Sequence, residues 1–203
     1  MAPGKDMDGS ARHIFHKHNR MSMKTVVVGA GGISNAWLPV LKTAGVDVAG
    51  IVDLDPARAK AQAEKYALSP VISTDLKKAL RTIRPDFVLD LTIPDAHCSV
   101  TCTALRAGYP VLGEKPISND IAKAEEMVAK AREKRLCYAI DLNHRFTPAA
   151  LVAKRWLDEG RLGHLLFVNM SMWIKNPTES SPYFQLKALH PHTVDVMRYF
   201  CGD

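Results

Sequence analysis

The sequence predicts an α/β fold, a doubly wound parallel sheet of the Rossmann type, followed by the incomplete start of an α+β domain. Short apolar strands alternate with helices from residue 24 to about residue 143. A glycine-rich turn, "VGAGGIS", follows the first strand, and the alternation ends after Asp141. Regular alternation of this kind is typical of a parallel sheet that is covered by helices on both faces.

The elements follow from apolar runs and from the residues that end them. The predicted strands are "TVVVG", "VDVAGIVD", "PDFVLDLTI", "YPVLGE" and "LCYAID". The predicted helices cover residues 33–44, 56–66 and 119–134, together with "DLKKALRTI" and "DAHCSVTCTALRAG". Asp75 is the expected N-cap of the third helix, Gly108 closes the fourth, and Ser118 or Asn119 begins the fifth.

Residues 144–203 predict part of a second domain. "TPAALVAKRWLDEG" indicates a helix with Thr147 as N-cap, Pro148 at its first position and Gly160 at its end. The alternating run "GHLLFVNMSMWIK" predicts a long strand, and "HTVDVMRYFCG" a last helix. One strand and two helices cannot bury a sheet face by themselves, so we expect this domain to be incomplete.

Residues 1–22 have no apolar period and are rich in Gly, Ser, His and charge. They are predicted to be a disordered tail, or an extension upstream of a start at Met21 or Met23. Three histidines, His13, His16 and His18, make a poor metal site without a preorganised geometry, and we predict no metal site in the chain.

Composition excludes several classes of protein. The net charge is +6, but the tail contributes +2 of it, and the remaining basic residues alternate with acidic ones along helices, so no nucleic-acid partner is expected. No run is long enough to cross a membrane and no secretory signal is present, which favours the cytoplasm. The four cysteines form no CxxC pair, and Cys98 and Cys102 share a predicted helix face as buried thiols, so no disulfide is expected.

The turn after the first strand predicts a dinucleotide site. Gly29 and Gly31 fit the G-x-G-x-x-G/A pattern, with Ser34 where the third small residue is expected. The first glycine permits the turn, and the second lets the backbone approach a pyrophosphate at the helix N-terminus. Asp53 lies 24 positions beyond Gly29, against about 20 in the pattern. Its carboxylate favours NAD over NADP, although Arg58 and Lys60 could weaken that preference.

Several stretches together resemble one known family. "GAGGIS", "IVDLDPARA", "TIPDAH", "AGYPVLGEKPIS", "NHRF", "DEGRLG" and "HPHTVDVMRYFCG", in this order and spacing, resemble the Gfo/Idh/MocA family of sugar and inositol dehydrogenases. The resemblance runs from about residue 24 to residue 203, and "EKP" is its most specific element. Members of the family usually continue through a large open sheet, so the resemblance implies that the chain is C-terminally truncated. That sheet forms much of the oligomer interface in the family, so a full-length form would be a homo-oligomer.

The resemblance implies a role for each matching position. Lys115 would hydrogen-bond the substrate hydroxyl, and a cis Lys115–Pro116 bond would direct its side chain inward. His192 would be the catalytic base that takes the proton. Ala188 and His190 depart from the family pattern, so the proton relay could differ, and no zinc site is expected from the H-x-H pair. The implied cofactor-binding residues are Gly29, Gly31, Gly32, Ile33, Asp53, Thr92, Ile93, Pro94, His97, Glu114, Lys115, Asn143 and Arg145.

The implied activity is hydride transfer between NAD(P) and a secondary alcohol of a sugar, sugar derivative or inositol. The substrate partner would therefore be a small sugar or polyol. Two alternatives stay open on the sequence: a dinucleotide-binding module without turnover, and a glycosidase that uses NAD as a transient hydride acceptor. The sequence does not name the sugar.

Overall fold

Six short strands form one parallel sheet in the computed structural model, which describes residues 22–172, 186–187 and 189–202. The predicted tail therefore lies outside the described residues, except for Ser22. The strands are β1 Lys24–Val28, β2 Asp47–Val52, β3 Val71–Ser73, β4 Phe87–Asp90, β5 Val111–Gly113 and β6 Tyr138–Ile140.

Helices connect the strands and continue beyond the sheet. Those between strands are α1 Ser34–Thr43, α2 Pro56–Lys65, α3 Leu76–Ile83, α4 Pro94–Arg106 and α5 Ile121–Lys134. A 3₁₀ helix, Asn143–Phe146, follows β6 and leads into α6 Pro148–Asp158 and α7 His190–Cys201. No helix among the described residues is both long and apolar enough to span a bilayer.

The strand order is β3-β2-β1-β4-β5-β6, and every neighbouring pair is parallel. This is the order of the doubly wound dinucleotide-binding fold, as the alternation predicted. The order reverses between β1 and β4, so the loops after these two strands diverge onto opposite faces and leave a crevice at their carboxyl ends. The glycine-rich turn and the "TIPDAH" stretch are those two loops.

The core lies on both faces of the sheet because successive side chains of a strand point in opposite directions. In β1, Val26 and Val28 pack against one face with Leu80 and Leu105, whereas Val27 packs on the other. That second face includes Leu38, Leu41, Ala59 and Ala63 from α1 and α2. Burying both faces fixes the sheet rigidly, so the loops at its carboxyl edge start from well-defined positions.

Most helix boundaries agree with their sequence signals. The side chain of Asp75 accepts a hydrogen bond from Lys78 N, that of Thr147 accepts from Ala150 N, and Gly108 adopts a left-handed φ of 91° after α4. The expected N-cap of α5 was wrong: Asp120, and not Ser118 or Asn119, caps this helix by accepting from Ala122 N.

Two strand predictions also need correction. The sequence pattern did not include β3, a three-residue strand at the edge of the sheet that is too short to show an apolar period. The strand expected from "GHLLFVNMSMWIK" is not formed over residues 163–172, where no described strand pairs with it. A strand requires a neighbour to share its backbone hydrogen bonds, and alternation alone does not supply one.

Candidate active site

The turn between β1 and α1 requires glycine at its first position. Gly29 has a φ of 97°, and a Cβ atom there would lie 2.7 Å from the carbonyl oxygen of Leu91. The backbone of β1 therefore passes directly against the chain that leaves β4. A side chain at residue 29 would separate the two loops that border the crevice.

The rest of this turn forms a cradle for an anion. No described residue accepts a hydrogen bond from the backbone N–H groups of Gly31, Gly32 or Ile33, which precede α1. A Cβ atom built on Gly31 or Gly32 would meet nothing within 4 Å, so the space above the turn is open. Ser34 is buried and its Oγ donates to Gly31 O at 2.6 Å, which closes the turn. Unpaired N–H groups at a helix N-terminus fit the pyrophosphate of a dinucleotide.

Asp53 follows β2 and faces the same turn. Its Oδ2 atom accepts a hydrogen bond from Ala30 N at 2.7 Å, and its Oδ1 atom accepts from Asp55 N at 2.9 Å. A carboxylate has about four acceptor positions, so two remain for the hydroxyl groups of a ribose. The position of Asp53 at the end of the second strand therefore fits the adenosine ribose of the cofactor.

On the β4 side of the crevice, a buried carboxylate shapes the loop. Asp90 is fully buried and accepts hydrogen bonds from the hydroxyl of Thr92 at 2.6 Å and from that of Thr101 at 3.0 Å. Burial raises the pKa of Asp90 above its usual value, although the Thr92 hydrogen bond lowers it in part. The loop then exposes Ile93, and Pro94 begins α4.

His97 connects two loops of the crevice. It is only 2% exposed, and its Nε2 lies 2.9 Å from Thr92 O while its Nδ1 lies 3.0 Å from Pro116 O. Both neighbours are backbone carbonyl oxygens, so a ring N–H can donate to either loop. His97 therefore joins the loop after β4 to the Lys115–Pro116 segment.

Glu114 and Lys115 follow β5 and enter the crevice. Glu114 is 7% exposed, and its Oε1 accepts a hydrogen bond from the Trp37 indole at 2.7 Å. Its Oε2 accepts from the backbone N–H of Lys115 at 3.1 Å. The Lys115–Pro116 peptide bond is cis, as the resemblance implied. Trp37 of α1 therefore fixes the carboxylate that precedes Lys115.

Asp141, at the end of β6, adds a second carboxylate to the same place. Burial and the nearby Glu114 raise the pKa of Asp141, while Lys115 and His144 lower it in part. Lys115, Glu114 and Asp141 therefore border the same part of the crevice. The carboxyl ends of β5 and β6 bring these three residues together because the two strands are parallel neighbours.

His192 on α7 completes the cluster. It is 8% exposed, and its ring stacks on that of His144 with centroids 4.1 Å apart and planes 11° apart. The buried Nδ1 atom of His192 has no hydrogen-bond partner within the described part of the chain. Burial lowers the pKa of His192, and the neighbouring His144 and Lys115 lower it further. The imidazole is therefore neutral at neutral pH and able to accept a proton.

Glu114, Lys115, Asp141 and His192 line one cavity, here called the loop cavity, of about 390 Å³. It extends from the glycine-rich turn to α7, so a molecule bound at the turn reaches the titratable groups. Its lining includes Ile33, Trp37, Glu114, Lys115, Asp141, Asn143, His144 and His192.

A second cavity of about 970 Å³ lies on the other side of Lys115. Arg145 lines it and forms a bidentate ion pair with Asp195 of α7, with its Nε donating to Oδ2 at 2.8 Å. The Arg145 guanidinium also lies over the ring of Tyr199 at 5.2 Å. Arg145 thus attaches α7 to the 3₁₀ helix that carries Asn143. His190, one of the departures from the family pattern, borders this cavity, and Ala188 lies outside the described residues.

Most predicted site residues fall into two groups, and Arg145, which lines the second cavity, belongs to neither. Ile33, Glu114, Lys115, Asn143 and His192 share the loop cavity, whereas Gly29, Asp53 and His97 shape the loops around it. The sequence prediction missed Trp37, Asp90, Asp141 and His144. For Asp141 and His144 a signal existed, since they lie at or shortly after the carboxyl end of the predicted strand "LCYAID". The predicted strand "PDFVLDLTI" continued past Asp90, which ends β4 in the structure. No pattern in the sequence pointed to Trp37.

The parallel sheet, the open turn and Asp53 define a dinucleotide-binding protein of the Rossmann class, and comparison with known proteins supports this. The family model described as "Oxidoreductase family, NAD-binding Rossmann fold" matches residues 23–142. Inositol 2-dehydrogenase 2 from Saccharopolyspora erythraea is 30% identical over 190 residues, covering 90% of this chain and 55% of that protein. Levoglucosan dehydrogenase from Pseudarthrobacter phenanthrenivorans is 26% identical over 133 residues, covering 59% of this chain and 34% of that protein.

An oxidoreductase from Agrobacterium radiobacter, solved with NAD⁺, L-tartaric acid and magnesium, has the same fold, with a TM-score of 0.78 at 21% identity over 90% of this chain and 56% of that one. Because the family model covers more than half of the sequence, the chain belongs to the Gfo/Idh/MocA oxidoreductase family. The resemblance inferred from the motifs and the choice of NAD as cofactor are confirmed. The chain spans about half the length of the curated inositol dehydrogenases it matches.

Proposed function

We propose that this chain is the cofactor-binding half of an NAD-dependent dehydrogenase that oxidises a secondary alcohol of a sugar, sugar derivative or inositol. The observation that carries the proposal is the loop cavity, which brings Lys115 and His192 next to the glycine-rich turn. A reacting alcohol in this cavity would meet a cation and a neutral imidazole at once, and both lie within reach of a cofactor held at the turn.

The cofactor would be held by the groups around the crevice. The N–H groups of Gly31, Gly32 and Ile33 would bind the pyrophosphate, and Asp53 would accept hydrogen bonds from the adenosine ribose. Thr92, Ile93 and Pro94 would line the channel toward the nicotinamide, with His97 holding the channel wall in place. Bound NAD supplies the hydride acceptor of the reaction.

The remaining residues would act on the substrate and on the nicotinamide end of the cofactor. Glu114, fixed by Trp37, would accept a hydrogen bond from the nicotinamide ribose, and Asn143 would border the ring. Lys115 would donate to the substrate oxygen and stabilise the negative charge that develops there. His192 would take the hydroxyl proton, because its lowered pKa keeps the ring neutral at neutral pH.

Arg145 has a different role in this proposal from the one that the resemblance implied. Its guanidinium is engaged by Asp195 and stacks on Tyr199, so it would position α7 and thereby His192. Contact between Arg145 and the cofactor is not needed for the chemistry proposed here.

The proposal is tested by NADH binding to this chain, followed by steady-state assays with NAD⁺ and a panel of polyols, inositols and sugars in a form that carries the remainder of a substrate domain. We expect saturable NADH binding and NADH production with at least one member of the panel. Binding without turnover would favour a dinucleotide-binding module, and sugar release without net NADH would favour the glycosidase alternative. Assembly into a homo-oligomer stays a prediction, which sedimentation of the protein would test.

A further inference from the structure

Two thiols and a carboxylate meet between α4 and α5, away from the crevice. Cys98 and Cys102 are four residues apart on α4, so they project from the same face of this helix. Glu126 projects toward them from α5, which packs along α4. One ligand atom from each of the three residues lies within 4.8 Å of the other two.

The separations suit a small thiophilic cation. Zinc binds thiolate sulfur at about 2.3 Å and carboxylate oxygen at about 2.0 to 2.2 Å in tetrahedral geometry, which puts its ligand atoms roughly 3.5 to 3.8 Å apart. The Sγ atom of Cys98 lies 3.5 Å from Oε2 of Glu126. All three ligand atoms lie within 4.8 Å of one another, so closing the group around a metal ion would need them to approach by about 1 Å.

The surroundings supply a partner for the carboxylate and a route from solvent. Glu126 turns Oε2 toward the thiols, while its Oε1 accepts a hydrogen bond from Arg106 at 3.0 Å. An outer hydrogen bond of this kind orients a ligating carboxylate. Cys102 is 1% exposed, whereas Cys98 is half-buried and Glu126 is exposed, so an ion can enter from the surface.

Charge balance is also favourable. Two thiolates and one carboxylate carry three negative charges, and a divalent ion reduces their sum to −1. The guanidinium of Arg106, paired with Glu126, offsets this remaining charge. Binding would release the two thiol protons to solvent.

We propose that Cys98, Cys102 and Glu126 form a binding site for a divalent metal ion of the zinc class, with water in the fourth position. The ion would join α4 to α5 and so stabilise one face of the sheet. The site shares no residue with the loop cavity, and it is therefore independent of the function proposed above.

Cobalt(II) is the probe, because thiolate ligation to it gives a charge-transfer absorption that histidine ligation does not give. The titration uses the full 203-residue chain, reduced and free of oxygen, with Cys137→Ser and Cys201→Ser to remove the two exposed thiols. We expect one equivalent of Co²⁺ to produce the charge-transfer band and zinc to abolish it by displacement. We also expect the zinc-loaded protein to melt at a higher temperature than the metal-free protein.

Single changes in the same background identify the ligands. Cys98→Ser, at a half-buried position, should remove most of the band while the protein stays folded by circular dichroism. Arg106→Gln should weaken the affinity for Co²⁺ by about tenfold to a hundredfold, as loss of an outer hydrogen bond does elsewhere. The exposed Arg81→Gln is the matched control and should have no effect. Absence of the band in the background protein, or an unchanged band in Cys98→Ser, would overturn the proposal.

Discussion

The carboxylate of Asp53 links the two parts of the candidate cofactor site, since it accepts a hydrogen bond from Ala30 in the turn while two of its acceptor positions stay open. A ribose 2′-hydroxyl can donate to such a carboxylate, whereas a 2′-phosphate is repelled by it. We therefore expect NAD(H) to bind more tightly than NADP(H), and Asp53→Ala to reduce that preference.

Titration of NADH and NADPH into both proteins measures this preference. Asp47→Ala, at an exposed carboxylate that begins β2, is the control and should leave the ratio of the two dissociation constants unchanged. Tighter binding of NADPH by the unmodified protein would contradict the role given to Asp53.

His192 should make the free energy of unfolding depend on pH. Burial, His144 and Lys115 lower its pKa in the folded chain below the ordinary value of 6.5, so the unfolded chain binds the proton more readily. This contribution to the free energy of unfolding is complete at pH values above the His192 pKa of the unfolded chain. It is lost as the pH falls through that pKa toward the lower pKa of the folded chain. The slope from this one group cannot exceed about 1.4 kcal/mol per pH unit.

Denaturant unfolding between pH 7.5 and pH 5 isolates this contribution when the unmodified protein is compared with His192→Gln. The loss of stability on acidification should be smaller in the variant, because a glutamine side chain does not titrate. The exposed His164→Gln should retain the full loss. Identical pH profiles for all three proteins would show that His192 titrates as it does in the unfolded chain.

The turn between β1 and α1 contains two glycines that are required for different reasons, so separate substitutions of the two test the turn. Gly29→Ala places a methyl group 2.7 Å from Leu91 O in a left-handed conformation and should cost about 2 to 5 kcal/mol of stability. Gly31→Ala meets open space, so stability should change by less than about 0.5 kcal/mol. The added methyl group would nevertheless occupy the cradle, and NADH affinity should fall by about tenfold or more.

Thermal unfolding and NADH titration of the two variants separate these effects. Loss of stability should follow Gly29→Ala, and loss of binding without loss of stability should follow Gly31→Ala. Normal NADH affinity in the Gly31 variant would mean that the cofactor does not approach this part of the backbone.

An ion pair between Arg145 and Asp195 helps to attach helix α7 to the 3₁₀ helix, beside the stacking of His192 on His144. Asp195 is 8% exposed and accepts both hydrogen bonds from Arg145, so removing the guanidinium leaves a buried carboxylate without its partner. We expect Arg145→Gln to speed amide hydrogen exchange in α7 while the amides of β1 and β4 stay protected. Arg161→Gln, which removes an exposed pair with Glu159, should leave α7 unchanged. Equal exchange of α7 in all proteins would mean that other contacts hold this helix.

The helices and strands differ in how well the sequence alone predicts them. Helices with strong local signals, such as α3 with Asp75 and α6 with Thr147, are predicted well because their caps and periodicity are local properties. The run at residues 163–172 alternates like a strand but forms none, because a strand also depends on a neighbouring strand, often one distant in sequence. Asp120 replaced the expected cap of α5 because three successive polar residues could each have served.

The parallel topology of the sheet brings the residues of the candidate site together. Residues from β5, β6 and α7 meet in one cavity although they are far apart in sequence, and only the carboxyl-end rule predicts such a meeting. Lys115, Glu114 and His192 were predicted from the resemblance and do share the cavity. The hydrogen bond from Trp37 to Glu114 and the stacking of His144 on His192 depend on packing geometry, which no local pattern encodes.

Lys115 is the residue on which the proposed chemistry depends most. If it stabilises the developing alkoxide, Lys115→Ala should leave NAD affinity nearly intact, while turnover in a form that carries the remainder of a substrate domain falls about a hundredfold to a thousandfold. That loss corresponds to about 3 to 4 kcal/mol for one preorganised donor. A purely structural lysine gives the opposite result, with stability lost and the rate per folded molecule preserved.

Turnover per folded, NAD-saturated molecule decides between these outcomes for Lys115. His192→Ala serves as the comparison, because its rate loss should shrink at high pH, where hydroxide can take the proton that the imidazole no longer accepts. Lys115→Ala should show no such recovery, since hydroxide cannot replace a positive charge beside the substrate oxygen. Lys78→Ala, at an exposed position on α3, is the matched control and should keep the full rate. A near-normal rate in the Lys115 variant would assign the stabilising charge to another group of the cavity.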